Sequence, residues 1–124
     1  MAECVDKGLA KAVSVANYSV KNMPKMEEEL AKYGVPLATN QCEFSVLRRL
    51  PETEGLLQAC KERNIVFQSY LSLAQGRLTG KYTVGVHLPK QYRFSSYDMK
   101  DVEPALAVLG GISTKRARRL VQLH

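Results

Sequence analysis

Polar and aromatic side chains that can do chemistry gather where short apolar runs of this sequence end: Asn17, Asn40, Gln41 and Tyr70. On the residues alone, the amides would satisfy loop backbone and Tyr70 would be a core aromatic with its hydroxyl in water. Other candidates are weaker. Lys81 and Tyr82 are chain neighbours, which rarely converge on one atom. His87 sits in Gly-Val-His-Leu-Pro with no carboxylate at motif spacing, so a solvated or satisfied imidazole is expected rather than a general base. His124 is terminal. Cys4, Cys42 and Cys60 are odd in number with no C-x-x-C pair, which indicates neither a disulfide framework nor a zinc site. Reduced, small hydrophobes are expected.

The elements that must hold these residues alternate. Lys11-Ala-Val-Ser-Val-Ala-Asn17 reads as a buried strand. Val20, Met23, Met26, Leu30 and Tyr33 recur at helical spacing up to Gly34, with Pro24 moving the helix start towards Asn22. Leu37 to Cys42 is a second strand, and Thr53 is expected to cap a helix reaching Arg63, with Asn64 in the left-handed position. Ile65 to Tyr70 is the third strand. Strand, helix, strand, helix, strand with short links calls for parallel strands and right-handed crossovers, an α/β chain. A long loop is expected from Leu71 to Ser96. A helix then starts at Asp98 or Asp101, with Pro104 in its first turn and a break at Gly110-Gly111, before a last basic helix capped by Ser113.

With 124 residues, 45% of them hydrophobic, the chain can bury one modest core. No apolar stretch approaches the roughly 20 residues of a spanning helix. Glu3 and Asp6 close to Met1 speak against secretory and transit signals, and the chain reads as cytoplasmic. Of the 18 Lys and Arg residues, Lys115, Arg116, Arg118 and Arg119 lie in the last ten, which leaves the body nearly balanced against 12 acids. Nucleic-acid binding would therefore rest on the tail, and the Lys90, Tyr92, Arg93, Phe94, Tyr97, Lys100 mixture is read as a loop over the domain, not a base-stacking surface. Leu109-Gly-Gly-Ile-Ser-Thr-Lys resembles a helix-hairpin-helix turn, but Ser113 stands where its second glycine belongs.

Three segments carry a family resemblance: residues 11–19, Gly34-Val-Pro-Leu-Ala-Thr-Asn-Gln-Cys-Glu-Phe-Ser45, and Ser69-Tyr-Leu-Ser-Leu-Ala-Gln-Gly-Arg-Leu-Thr-Gly-Lys-Tyr82. With Pro51-Glu-Thr-Glu between them, their order and spacing resemble the aldo-keto reductase family over about residues 2–109. The resemblance implies a partial TIM (β/α)8 barrel carrying about three parallel strands, the family's fifth to seventh, over residues 1–109. Residues 110–124 would form a basic C-terminal tail. In such barrels ligands sit at the C-terminal strand ends.

The family reduces carbonyls, or oxidises alcohols, with NADP, NAD being the other possibility. Carried over, Asn17 and Gln41 would hold the nicotinamide carboxamide and Tyr70 would stack on its ring. Leu71, Ser72, Leu73, Gln75 and Gly76 would approach the pyrophosphate through backbone N–H groups, with Arg77 adding charge. The family usually has serine where this chain has Ala16, and Ser-Pro-Leu where it has Leu71-Ser72-Leu73. Its acid-base set of tyrosine, lysine, aspartate and histidine belongs to segments preceding the matched region. The expectation is thus an oxidoreductase-family fragment that keeps part of the cofactor site and, alone, turns over no carbonyl substrate. The alternatives are a non-catalytic module that binds or self-associates through open sheet edges, and a tail-driven nucleic-acid binder.

Overall fold

Val13 and Val15 alternate with Ser14 and Ala16, and only the valines are buried, as a strand with one covered face requires. In the computed structural model, which describes residues 1–85 and 97–115, this strand, β1, spans Val13–Ala16 and follows a short helix α1, Ala2–Asp6. Helix α2 is Met23–Ala31, β2 is Leu37–Glu43, α3 is Leu50–Thr53, α4 is Leu56–Glu62 and β3 is Val66–Tyr70. The three strands form one parallel sheet in the order β1-β2-β3. His87, residues 90–94 and the tail from 116 onward lie outside the described residues.

Two compact units make up the chain, the first comprising Met1–Phe44 with Arg48–Tyr70, the second Ser45–Leu47 with Leu71–His124. In the first, Met23 and Leu30 of α2 and Leu56 and Cys60 of α4 pack on Val13, Val15, Leu37 and Cys42. The opposite sheet face, with Ser14, Gln41, Val66 and Gln68, is exposed. Pro24 lies within the first turn of α2, where its missing N–H leaves nothing unpaired, and Asn64 takes the left-handed conformation at φ +57°. Gly55 rather than Thr53 precedes α4, because α3 consumes the segment in which a single helix was expected.

The second unit holds a 3-10 helix, Ala74–Thr79, inside the expected loop, and α5, Met99–Lys115. Ala74, Leu78, Met99 and Val102 form its core. Two expectations for α5 are corrected. Pro104 is past the first turn, tolerated on an exposed face at the loss of one backbone bond. Gly110 and Gly111 do not break the helix, since a glycine costs only about 1 kcal/mol relative to alanine and Thr114 Oγ1 donates back to the Gly110 carbonyl at 3.0 Å.

Candidate functional site

Parallel strands that share a direction bring their C-terminal residues to one edge, and here that edge carries Asn17, Gln41 and Tyr70. The Asn17 N–H donates to the Gln41 carbonyl at 2.9 Å, which extends the β1–β2 ladder by one residue. Asn17 then turns out of the strand at φ +59°, a conformation asparagine tolerates better than most residues. Tyr70 is paired in register with Glu43, and its side chain reaches across β2. Its hydroxyl donates to Asn17 Oδ1 at 2.9 Å. Two residues 53 positions apart thus meet at the sheet's end.

Gln41 pairs with Gln68 one pleat behind Tyr70, on the same face, and is exposed. It does not line the cleft beside Asn17 and Tyr70. That cleft, about 350 Å³, is bounded also by Tyr18, Ser19, Cys42, Glu43, Arg48 and Glu54. Arg48 Nε lies 3.5 Å from Glu43 Oε2, so the wall carries an ion pair as well as amide and phenol groups. A larger cleft of about 670 Å³ lies between α1 and α2, away from the strand ends, with Met1, Met26, Leu30 and Tyr33 among its lining.

Beneath the edge sits Asn40, fully buried; the sequence places it among the strand-end polar groups but assigns it no part in the site. Its Oδ1 accepts the Tyr18 N–H at 3.3 Å, and its Nδ2 donates to the Tyr18 carbonyl at 2.9 Å. The Cys42 thiol donates to Oδ1 at 3.4 Å, Nδ2 also faces Met23 Sδ at 3.8 Å, and the Cys60 thiol lies 3.6 Å from the same sulfur. Burial pushes both thiols above the ordinary thiol range, which keeps them protonated and unreactive at neutral pH. The available signal was parity: Asn40 shares its strand face with Cys42, so an amide there had to be satisfied inside the core.

In the second unit, Leu71, Ala74 and Gln75 adopt positive φ of +54°, +48° and +59°, and Gly76 follows at +95°. Non-glycine residues in that region cost on the order of 1 kcal/mol or more each, and such strain concentrates at functional sites. A Cβ on Gly76 would meet Tyr82 Cε2 at 3.4 Å, an ordinary contact, so it is the backbone angle that favours glycine. Arg77 is fully buried, its Nη1 donating to the Ala74 carbonyl and to Gln75 Oε1, each at 3.3 Å, with its guanidinium 5.9 Å from the Tyr97 ring centre. Desolvation lowers its pKa, partly offset by Tyr97. Arg77 is therefore an internal brace of this unit. Among the described residues no three His, Cys, Asp or Glu side chains converge as a metal cage.

The profile of the aldo/keto reductase family matches residues 1–118. The chain belongs to the aldo/keto reductase family. It is similar to the chloroplastic pyridoxal reductase of Arabidopsis thaliana, 34% identical over 125 residues that make up 99% of this chain and 34% of that protein. The L-glyceraldehyde 3-phosphate reductase of Escherichia coli K12 is 27% identical over 116 residues, 94% of this chain and 34% of the relative. Among solved structures, a glycerol dehydrogenase from Gluconobacter oxydans superposes with a TM-score of 0.76 at 23% identity, over 95% of this chain and 36% of that one. A thermostable aldo-keto reductase solved with the inhibitor epalrestat gives 0.64 at 22% identity, over 99% of this chain and 35% of that one. The chain spans about a third of the length of the relatives it matches. Its three parallel strands and their helices are part of the family's (β/α)8 barrel. Among the described residues no helix is long and apolar enough to cross a membrane.

Proposed function

We propose that these 124 residues hold the nicotinamide end of an NAD(P)H cofactor for carbonyl reduction, and that alone they bind the cofactor without turning it over. The observation that carries this reading is the 2.9 Å bond from the Tyr70 hydroxyl to Asn17 Oδ1 at the sheet's C-terminal edge. With Oδ1 engaged and Asn17 exposed, the Nδ2 donor, which makes no hydrogen bond among the described residues, is left for a ligand. A carboxamide oxygen is the acceptor it suits. The Tyr70 ring, tethered at its hydroxyl, offers a fixed face for a flat heterocycle. Gln41, on the same sheet face, would supply a second amide. The strained run Leu71 to Gly76 supports a phosphate-facing role for Leu71, Ser72, Leu73, Gln75 and Gly76, although the Gly76 N–H itself donates to the Leu73 carbonyl at 2.9 Å.

When bound, the reduced nicotinamide supplies hydride to a carbonyl carbon, and the names of both reductase relatives point to aldehydes as the substrate class. The residues proposed here orient and hold. Lys81 and Tyr82 are not among them and stack against each other, the ammonium 5.6 Å from the ring centre.

Titrating the purified chain with NADPH and NADH, followed by the fluorescence of the reduced nicotinamide, tests the reading. Saturable binding is expected, weakened about tenfold or more in Tyr70→Ala, as loss of a stacking face and a hydrogen bond implies. An absence of binding would remove the cofactor assignment. Oxidation of NADPH that depends on added aldehyde would instead overturn the claim that the chain does not turn over.

A further inference from the structure

We infer that Asn40 is a positioning residue: by clamping the backbone of Tyr18 it fixes Asn17 in the conformation that meets Tyr70, and so sets which polar group the strand edge presents. The inference rests on the cofactor reading above for its functional meaning, but its geometry stands apart from it.

The clamp uses both polar atoms of one carboxamide on one residue. Oδ1 accepts from the Tyr18 N–H at 3.3 Å and Nδ2 donates to the Tyr18 carbonyl at 2.9 Å, a reciprocal pair spanning 22 positions. Flipping the amide would set donor against donor and acceptor against acceptor, so only one orientation satisfies it. Asn40 is wholly excluded from water, and an open bond there would leave a buried polar atom unsatisfied. Asn17 is therefore held from both sides, its own N–H on the Gln41 carbonyl at 2.9 Å and the following residue on Asn40.

That restraint sustains the left-handed φ of +59° at Asn17, which a free loop would readily abandon. With the backbone fixed, Asn17 Oδ1 accepts from the Tyr70 hydroxyl at 2.9 Å, and on this exposed residue the amide nitrogen is left as the donor. The consequence is a polarity rule for the edge. The ligand group that meets Asn17 must be an acceptor oxygen, and a ligand presenting only a donor there is rejected.

The test combines cofactor binding with amide hydrogen exchange on the full chain. Asn40→Ala should accelerate exchange at the Tyr18 amide at least tenfold and weaken NADPH binding about tenfold, the size expected from losing one well-made hydrogen bond at the ligand. In an Asn17→Ala background, Asn40→Ala should weaken NADPH binding no further, because Asn40 acts through Asn17. The same tenfold loss in that background would mean general loosening of the core and would overturn the inference. Should Asn40→Ala not fold, Asn40→Ser carries the same comparison with a smaller cavity. Unchanged Tyr18 exchange in either variant also overturns it. If the native chain binds no NADPH while Tyr18 exchange responds to Asn40, the cofactor reading fails and the clamp stands.

Discussion

Asn40 and Arg77 are both fully buried, one in each unit, and they are held by opposite means. Around Asn40 a neutral amide meets donors and acceptors that match it on every side, from Tyr18, Cys42 and Met23. Arg77 instead carries a charge into the interior and meets a carbonyl, an amide oxygen and an aromatic ring, with burial lowering its pKa. The Asn40 group fits its surroundings so closely that its loss orphans backbone. Desolvation of the Arg77 cation consumes much of what its bonds return. The sheet unit is thus organised by a specific polar clamp, and the second unit by a charged brace beneath strained backbone.

The sharpest way to break that contrast is Asn40→Leu. It leaves the N–H and carbonyl of Tyr18 without partners and should cost about 2–4 kcal/mol in urea unfolding, with faster exchange at β1 and β2 amides. A cost under about 1 kcal/mol would show that the clamp is no better than apolar packing. Arg77→Met keeps length and apolar contact while removing the charge, and should change stability by no more than about 1 kcal/mol in either direction. If it costs more than Asn40→Leu, the contrast is inverted.

A smaller effect concerns the thiols that flank the clamp. Burial raises the Cys60 pKa, so the folded chain keeps its proton in solutions where the unfolded chain releases one. Stability is then intact below about pH 8.5, the ordinary thiol value, and falls as pH rises through the alkaline range. Cys60→Val should flatten that decline in unfolding curves taken from pH 7 to 10, and an undiminished slope would place its origin elsewhere. The smallest change belongs to the surface. Lys32 bonds Glu29 across an exposed turn of α2, and Lys32→Met should leave the thermal midpoint within replicate scatter.

How far the site was legible differs by residue. Asn17 and Tyr70 were visible as polar groups at the ends of apolar runs, and the parallel order of those runs already implied a common edge. Asn40 stood in the same cluster, and its parity with Cys42 was the one hint that it faces inward while Gln41 faces out, a weak one because a shift of one residue in strand parity exchanges the two. The strain from Leu71 to Gln75 carries no glycine except Gly76 to announce it, and a leucine at φ +54° contradicts local preference. Continuation of α5 through Gly110 and Gly111 was missed for a related reason: local penalties of about 1 kcal/mol decide little once the segment as a whole is helical.

By itself the sequence determined the order of strands and helices, their parallel arrangement and the family, since apolar periodicity and motif spacing act along the chain and need no partner. Tertiary structure alone decided that the Tyr70 hydroxyl meets Asn17 across β2, that Asn40 turns inward to grip Tyr18, and that Arg77 is withdrawn from water. Those outcomes depend on the register and facing of segments far apart in the chain, where each polar group takes whatever partner the packing brings within reach.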